Sequence, residues 1–592
     1  MTDLAKFDAL EKEFFNTLTK RDPILSSSLG LHQYDDKMPD GSVEKELEDI
    51  RILNKYLRGF SKINIKKLSP HRVIDLELAI HTIKIWLFEK EEIRYWESSP
   101  EAPELIGISI FQVLSRNYAP LTQRLKSIHK RLEQIPHYIK KSREKLRSPI
   151  KQFVEDELET ITRLPGFFNN LKDIARENLL KTPYYNFHRS IERVHDALED
   201  YSNWLIIDVL PTCREDFVIG EKKFEKLLKL RGIDKTPREL IKFGDDELTH
   251  LQEKLKQLGR QIKRRSSVED VRELIRSKHP KTFEDVLKYM RDSVQKARQF
   301  VIRSDFAKLP SNENLYVIET PSFMRHTTPF AAYWPPAKFE EKQDGYYFVT
   351  PGDSENERLK EHNYASMHNT TIHEAYPGHH LQLTCANTNK SLIRAFADAT
   401  ETVEGWAHYC EEQAKELGFD DTPEARFAQT LDMVWRAARI IIDVKLHTGA
   451  MTAREAMEFL ADTTGMEWSA AEAEIRRYTK SPTYQLSYLI GKELIKDLKR
   501  YVRSKMTEKF TDLFFHNTFL YAGSLPIDLM RKEFDWKIEE ELTKKERKRK
   551  TKIERTKTRE TPSRKIVRKK PPAKSRRKVV KRRPPRKPKK KK

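Results

Sequence analysis

Glycine is scarce in this chain: 18 positions in 592, against 112 Lys+Arg and 90 Asp+Glu. Turn-rich sheets need more glycine than this, whereas long helices with charged outer faces need little. The expected fold is therefore mainly α. Apolar spacing agrees: Ile191, Val194, Leu198, Tyr201 and Leu205 step by three and four, giving one stripe that Pro211 ends. Phe283, Val286, Tyr289, Met290 and Val294 share a face in the same way. The stretch ELTHLQEKLKQLGRQIKRR is so charged that it reads as a surface or antiparallel helix. Hydrophobic residues, at 38%, still suffice for a sizeable core.

The pattern changes over 306–360. NLYVIETP is rich in β-branched and aromatic residues, prolines break PFAAYWPPAKF, and DGYYFVTP reads as a strand after a turn. A small sheet is expected there, between a helical part (1–305) and further helices (361–543), the whole forming one body over 1–543.

Residues 544–592 differ in kind. They hold 28 Lys+Arg and 3 Asp+Glu, leaving 84 basic and 87 acidic residues in 1–543, so the net charge of +22 is a property of the tail and the body carries −3. The Pro/Lys/Arg-rich tail cannot bury enough apolar surface to fold alone and is expected to be disordered. Such a charge favours non-specific contact with nucleic acid or another anionic surface; no aromatics interleave it, so base stacking is not indicated. The three cysteines, Cys213, Cys385 and Cys410, are far apart, and no CxxC occurs, which excludes a disulfide framework and a thiolate zinc site. No apolar run approaches the ~20 residues of a transmembrane span. A cytoplasmic location is the expectation.

The chemistry sits in TTIHEAYPGHHLQLTCANTN. A catalytic zinc site needs three protein ligands, an open position for water and a carboxylate to take a proton. The common helical solution, H-E-x-x-H, places both His one turn apart. Here His373-Glu374 supplies the first half, but Pro377 stands where the second His belongs, and His379 and His380 follow. On an ideal helix the first lies about 120° off the face and the second about two turns away, so neither shares a metal with His373 unless the helix breaks. Pro377-Gly378 supplies the means of breaking it. His379 is preferred as second ligand, with His380 the alternative. Glu404, 25 residues beyond His379 on a helical segment, is the expected third ligand, and Glu401, Glu411 and Glu412 compete. Glu374 becomes the expected base, and one Zn²⁺ per chain the expected cofactor, by ligand type.

HEAYPGHHLQ resembles the signature of the domain of unknown function 885 family. PILSSSLGLHQYDDKMPDG, FMRHTTPFAAYWPP, DGYYFVTP, VEGWAHYCEE, RAARIIIDVKLHTGAMTAREAMEFL and IRRYTKSPTYQLSYLIGKELI resemble its other blocks, so the likeness covers roughly 5–540. Members of that family look like gluzincin-type zinc peptidases. The resemblance implies a helical body with a deep cleft and hydrolysis of oligopeptides, with His373, His379 and Glu404 as ligands and Glu374 as base. The chain departs where small residues or Gln are expected after a proline: it has Thr483, Tyr484 and Gln485, which bears on substrate preference more than on catalysis.

Peptide hydrolysis also needs a donor to the developing oxyanion. Tyr488 is the first choice; Arg477, Tyr478 and His447 are further candidates for oxyanion or substrate contact, and His326 is expected in a structural role. Two other classes fit the sequence: a non-catalytic nucleic-acid-associated protein working through its tail, and a zinc hydrolase of non-peptide amides or esters.

Overall fold

A computed structural model describes residues 2–325, 328, 330–351 and 358–559, with side chains to residue 543. His326 and residues 560–592, most of the basic tail, lie outside the described residues. Helices dominate, as the glycine scarcity predicts: twelve α-helices precede a three-stranded sheet, and nine follow it among the described residues.

Two apolar cores organise the body. The first joins the helices Ala102–Ser115, Leu121–Arg143, Lys151–Asn178 and Lys181–Trp204, the last through its stripe Ile191, Val194, Leu198 and Tyr201, and reaches Phe348 in the sheet. The second packs the helix Pro237–Ile262 along Pro423–Thr448. Leu248, Leu251, Leu255 and Leu258 put a buried leucine row into the stretch that reads as a surface helix by charge. Gly244 sets the approach, because a Cβ there would stand 2.7 Å from Ile441 Cγ1.

The sheet is ordered β1-β3-β2, with β1 Glu313–Glu319, β2 Ala331–Trp334 and β3 Gln343–Val349. β1 runs parallel to β3, with Tyr316 opposite Tyr346, and β2 runs antiparallel, with Tyr333 opposite Tyr347. The two expected strands form. The proline-broken segment adds a third, because Pro335-Pro336 follows a strand at the sheet edge, where missing N–H groups cost no ladder bond.

The chain divides into compact units 1–538 and 539–592, so the body ends slightly before the expected boundary. The last helix, Ile527–Arg559, runs on into the first part of the tail. Its residues are mostly Lys, Arg and Glu, good helix formers, and no Pro or Gly interrupts it before Pro562.

Candidate metal centre

The motif helix, Tyr364–Glu374, is capped by Asn363, whose side chain accepts from Ser366 N. It stops immediately after Glu374. The Tyr376–Pro377 bond is cis, and Gly378 N donates back to the Ile372 carbonyl at 3.0 Å. Only glycine fits there, since a Cβ at 378 would run into the carbonyl oxygens of Ile372 and His373. A new helix begins at His379 and runs to Asn387. The broken helix thus returns His379 to His373: their ring centroids are 4.7 Å apart, at 89°.

Glu404 enters from the helix Thr400–Glu416. Trp406 Nε1 donates to the Pro377 carbonyl at 2.9 Å, and Cys410 Sγ lies 3.5 Å from the same oxygen, which fixes this helix to the turn. Glu404 Oε2 then lies 3.6 Å from His373 Nε2 and 3.4 Å from His379 Nε2. One donor atom from each of these three residues falls within 4.8 Å of the others. Ligand atoms about 2.1 Å from a common tetrahedral ion stand roughly 3.4 Å apart, so the Glu404 distances match such edges. Glu404 Oε2 is buried without a hydrogen-bond partner, the condition of an atom that serves as a ligand. The donor set fits a divalent ion.

His373, Glu374, His379 and Glu404 are all buried, each 6–9% exposed. Burial disfavours charge on His373, yet the Glu404 and Glu411 carboxylates reverse this and push it up to about 10. Glu404 is held well below the usual carboxylate range despite burial, through His373 and His379. Burial pushes the Glu374 carboxyl up.

His380, the alternative ligand, has both ring nitrogens engaged elsewhere. His380 is fully buried; its Nε2 meets Glu313 Oε2 at 2.9 Å and its Nδ1 meets Tyr333 OH at 3.0 Å, so both ring nitrogens serve the junction with the sheet. The competing acids are also placed. Glu401 pairs with Arg231, Glu412 with Lys492, and Glu411 Oε1 accepts from His373 Nδ1 at 2.8 Å.

A family model described as bacterial protein of unknown function (DUF885) matches residues 23–534. The chain belongs to the DUF885 family. Two solved structures share the fold. A candidate lipoprotein of unknown function from Shewanella oneidensis is 23% identical with a TM-score of 0.72, over 89% of this chain and 99% of that one. A candidate lipoprotein from Colwellia psychrerythraea is 18% identical with a TM-score of 0.78, over 91% and 100%. No curated protein matches the sequence. Among the described residues no helix is long and apolar enough to cross a membrane. Lipoproteins are held at membranes by lipid and need no such helix, so these two relatives overturn the cytoplasmic expectation.

In this DUF885 chain the residues around the donors sort differently from the sequence reading. Tyr488 stands at the site, its ring parallel to that of His373 at 6.4 Å. Tyr484, read as a departure from the family pattern, donates to Glu404 Oε1 at 2.7 Å and so orients that carboxylate. Glu411 orients His373, held in turn by Asn369, which also bonds Lys415 and Asp432. His408 packs edge-on to His373, its ring nitrogens buried without a hydrogen bond and Nδ1 3.8 Å from Glu411 Oε2. Nothing in the spacing of VEGWAHYCEE separates Glu404 from Glu411 beyond the seven-residue step that puts both on one helix face.

Two further oxyanion candidates are engaged by neighbouring groups. The Tyr478 hydroxyl already accepts from Arg439 Nε at 2.6 Å and Trp435 Nε1 at 3.1 Å. His447 is buried beside Phe224 and donates from Nε2 to the Tyr478 carbonyl at 3.0 Å. Burial pushes the His447 imidazole down to about 4. Between that value and ~6.5 the unfolded chain binds a proton that the folded chain refuses, so stability is complete above ~6.5 and falls as pH drops toward 4. The expected contribution is on the order of 3 kcal/mol. Asp443, pushed up to about 7 by burial, acts in the opposite sense, so the wild-type slope alone is not the readout. The difference in urea midpoint between wild type and His447→Gln should narrow as pH falls from 7 to 4.5; a constant difference would refute a neutral buried His447.

Proposed function

We propose that this protein is a zinc-dependent metallopeptidase that hydrolyses oligopeptides, with His373, His379 and Glu404 as metal ligands and Glu374 as general base. The observation that carries the reading is Glu404 Oε2, buried, unpartnered and 3.4–3.6 Å from both imidazoles. Two imidazoles and one carboxylate favour zinc among divalent ions. A bound zinc supplies a Lewis acid for the scissile carbonyl and lowers the pKa of its water.

The protein's own groups do the rest. Glu374, directly after His373 and held in a buried site that favours its protonated form, takes the water's proton on its carboxylate and returns it to the leaving amine. Tyr488 donates its hydroxyl proton to the carbonyl oxygen as negative charge develops. Tyr484 and Glu411 keep the ligands in place. β2 is a sheet edge whose Tyr333 lies parallel to His379, ring centroids 6.4 Å apart, so an extended peptide pairing with that edge would pass the metal.

The test is elemental analysis of purified wild type beside His373→Ala. About one zinc per chain, lost in the variant, is expected, followed by cleavage of an oligopeptide library by wild type only. A wild type that neither contains nor takes up zinc would overturn the reading.

A further inference from the structure

Next to the donor group stands a cluster of three arginines. Arg436 and Arg439 lie a turn apart on the helix Pro423–Thr448, and Arg477 ends the helix Trp468–Thr479. The guanidinium carbons of Arg439 and Arg436 stand 4.5 and 5.9 Å from the centroid of Tyr488, the ring that lies against His373. Arg477 joins them through Glu474, whose Oε2 accepts from Arg439 Nη2 at 3.0 Å and from Arg477 Nη2 at 2.8 Å.

Charge and hydrogen bonds are both left over. Glu474 serves two guanidiniums, and Asp432, which pairs with Arg436 at 3.3 Å, is shared with Asn369. Three arginines thus share two carboxylates as ion-pair partners, while Glu404 faces the two imidazoles and Glu411 bonds His373. Arg439 Nη1 and Arg436 Nε are buried without a hydrogen-bond partner. A buried charged donor left unmade costs more than a neutral one. The side chains are 3%, 11% and 30% exposed for Arg439, Arg436 and Arg477, so Arg477 is the one most open to a ligand. A planar guanidinium with free donors matches a carboxylate.

Resting on the peptidase reading, we propose that Arg477, supported by Arg436 and Arg439, binds a carboxylate of the substrate and so sets which bond reaches the metal. The C-terminal carboxylate of a short peptide and an Asp or Glu side chain share this chemistry. The anchor is a specificity determinant, linked to the donor group through Glu474, Arg439 and Tyr488, and it selects acidic or C-terminally free peptides over neutral, blocked ones.

The experiment uses zinc-loaded full-length Glu374→Gln, which binds without turning over, and a fluorescently labelled pentapeptide of alanine and phenylalanine in three forms: free acid, C-terminal amide, and amide with one internal Glu. Fluorescence anisotropy gives each Kd. The free acid is expected to bind roughly 30-fold more tightly than the plain amide. Restoration of affinity by the internal Glu would assign the anchor to side chains as well; its absence would assign it to the C-terminus. Adding Arg477→Gln should bring the acid-to-amide ratio close to 1, Arg436→Gln should lower it, and Arg477→Lys should retain part of it, which separates lost recognition from lost folding. Equal affinities for acid and amide, or no binding of either, would overturn the anchor. Peptide cleavage by wild type without acid preference leaves the peptidase reading standing and removes the anchor alone. Acid preference in a protein whose wild type cleaves nothing does the reverse.

Discussion

Glu374→Gln should lower kcat/KM for oligopeptides about 1,000-fold while zinc stays near one per chain, the scale on which a positioned general base acts. The substitution keeps the size of the side chain and removes only its ability to take a proton. Glu374 is not one of the three donors within 4.8 Å of one another, so metal content should persist. Folding should persist too, because burial already disfavours the charged carboxylate and a neutral amide is easier to keep there. The measurement is paired: zinc per chain and kcat/KM on the same preparations. Retained zinc with activity within threefold of wild type would remove Glu374 from the mechanism. Loss of both would mean the side chain holds the site together and does not act as base. The same pair of numbers separates the enzyme from a nucleic-acid-associated protein with a degenerate site, which would show no turnover in wild type either.

The sequence shows the helices and the donors more readily than what holds the donors. Stripes such as Ile191–Leu205 are legible because a helix with one buried face must repeat at three and four. The break at Pro377-Gly378 is legible because no continuous helix brings His373 and His379 together. What distinguishes His379 from His380 is not local: Glu313, 67 residues earlier on β1, engages the second imidazole. The leucine row of Pro237–Ile262 is masked by the charge around it, and the third strand by its flanking prolines. Tyr478 and His447 show why a polar residue near a motif is weak evidence, since their partners, Arg439, Trp435 and the Tyr478 carbonyl, come from elsewhere in the fold. Tyr484 is the reverse case: an apparent departure that contacts the ligand directly.

Gly491→Ala should cost about 3 kcal/mol, at the upper end for overpacking, and weaken zinc binding with it. The helices Thr400–Glu416 and Ser487–Met506 cross where Gly405 faces Gly491. A Cβ on Gly491 would collide with the Glu401 carbonyl oxygen and stand 3.0 Å from Gly405 Cα. These are backbone atoms, so no rotamer change relieves the clash and the helices must move apart. Glu404 precedes Gly405, while Tyr488 lies one turn before Gly491 and Tyr484 in the turn that leads into the helix, so separation pulls Glu404 from the tyrosine that orients it. A lower urea midpoint together with a raised zinc Kd is therefore expected from a single methyl group that touches no ligand. The control is Gly166→Ala in the exposed face of the helix Lys151–Asn178, where the nearest atom, Ser322 Oγ, is 4.0 Å away. There the methyl meets open space and removes only the entropy cost of a helical glycine, so stability should rise by about 0.5–1 kcal/mol with zinc binding unchanged. If both variants behaved alike, the close crossing would not be what positions Glu404. If they differ as expected, the two glycines are part of the metal site as surely as its donors.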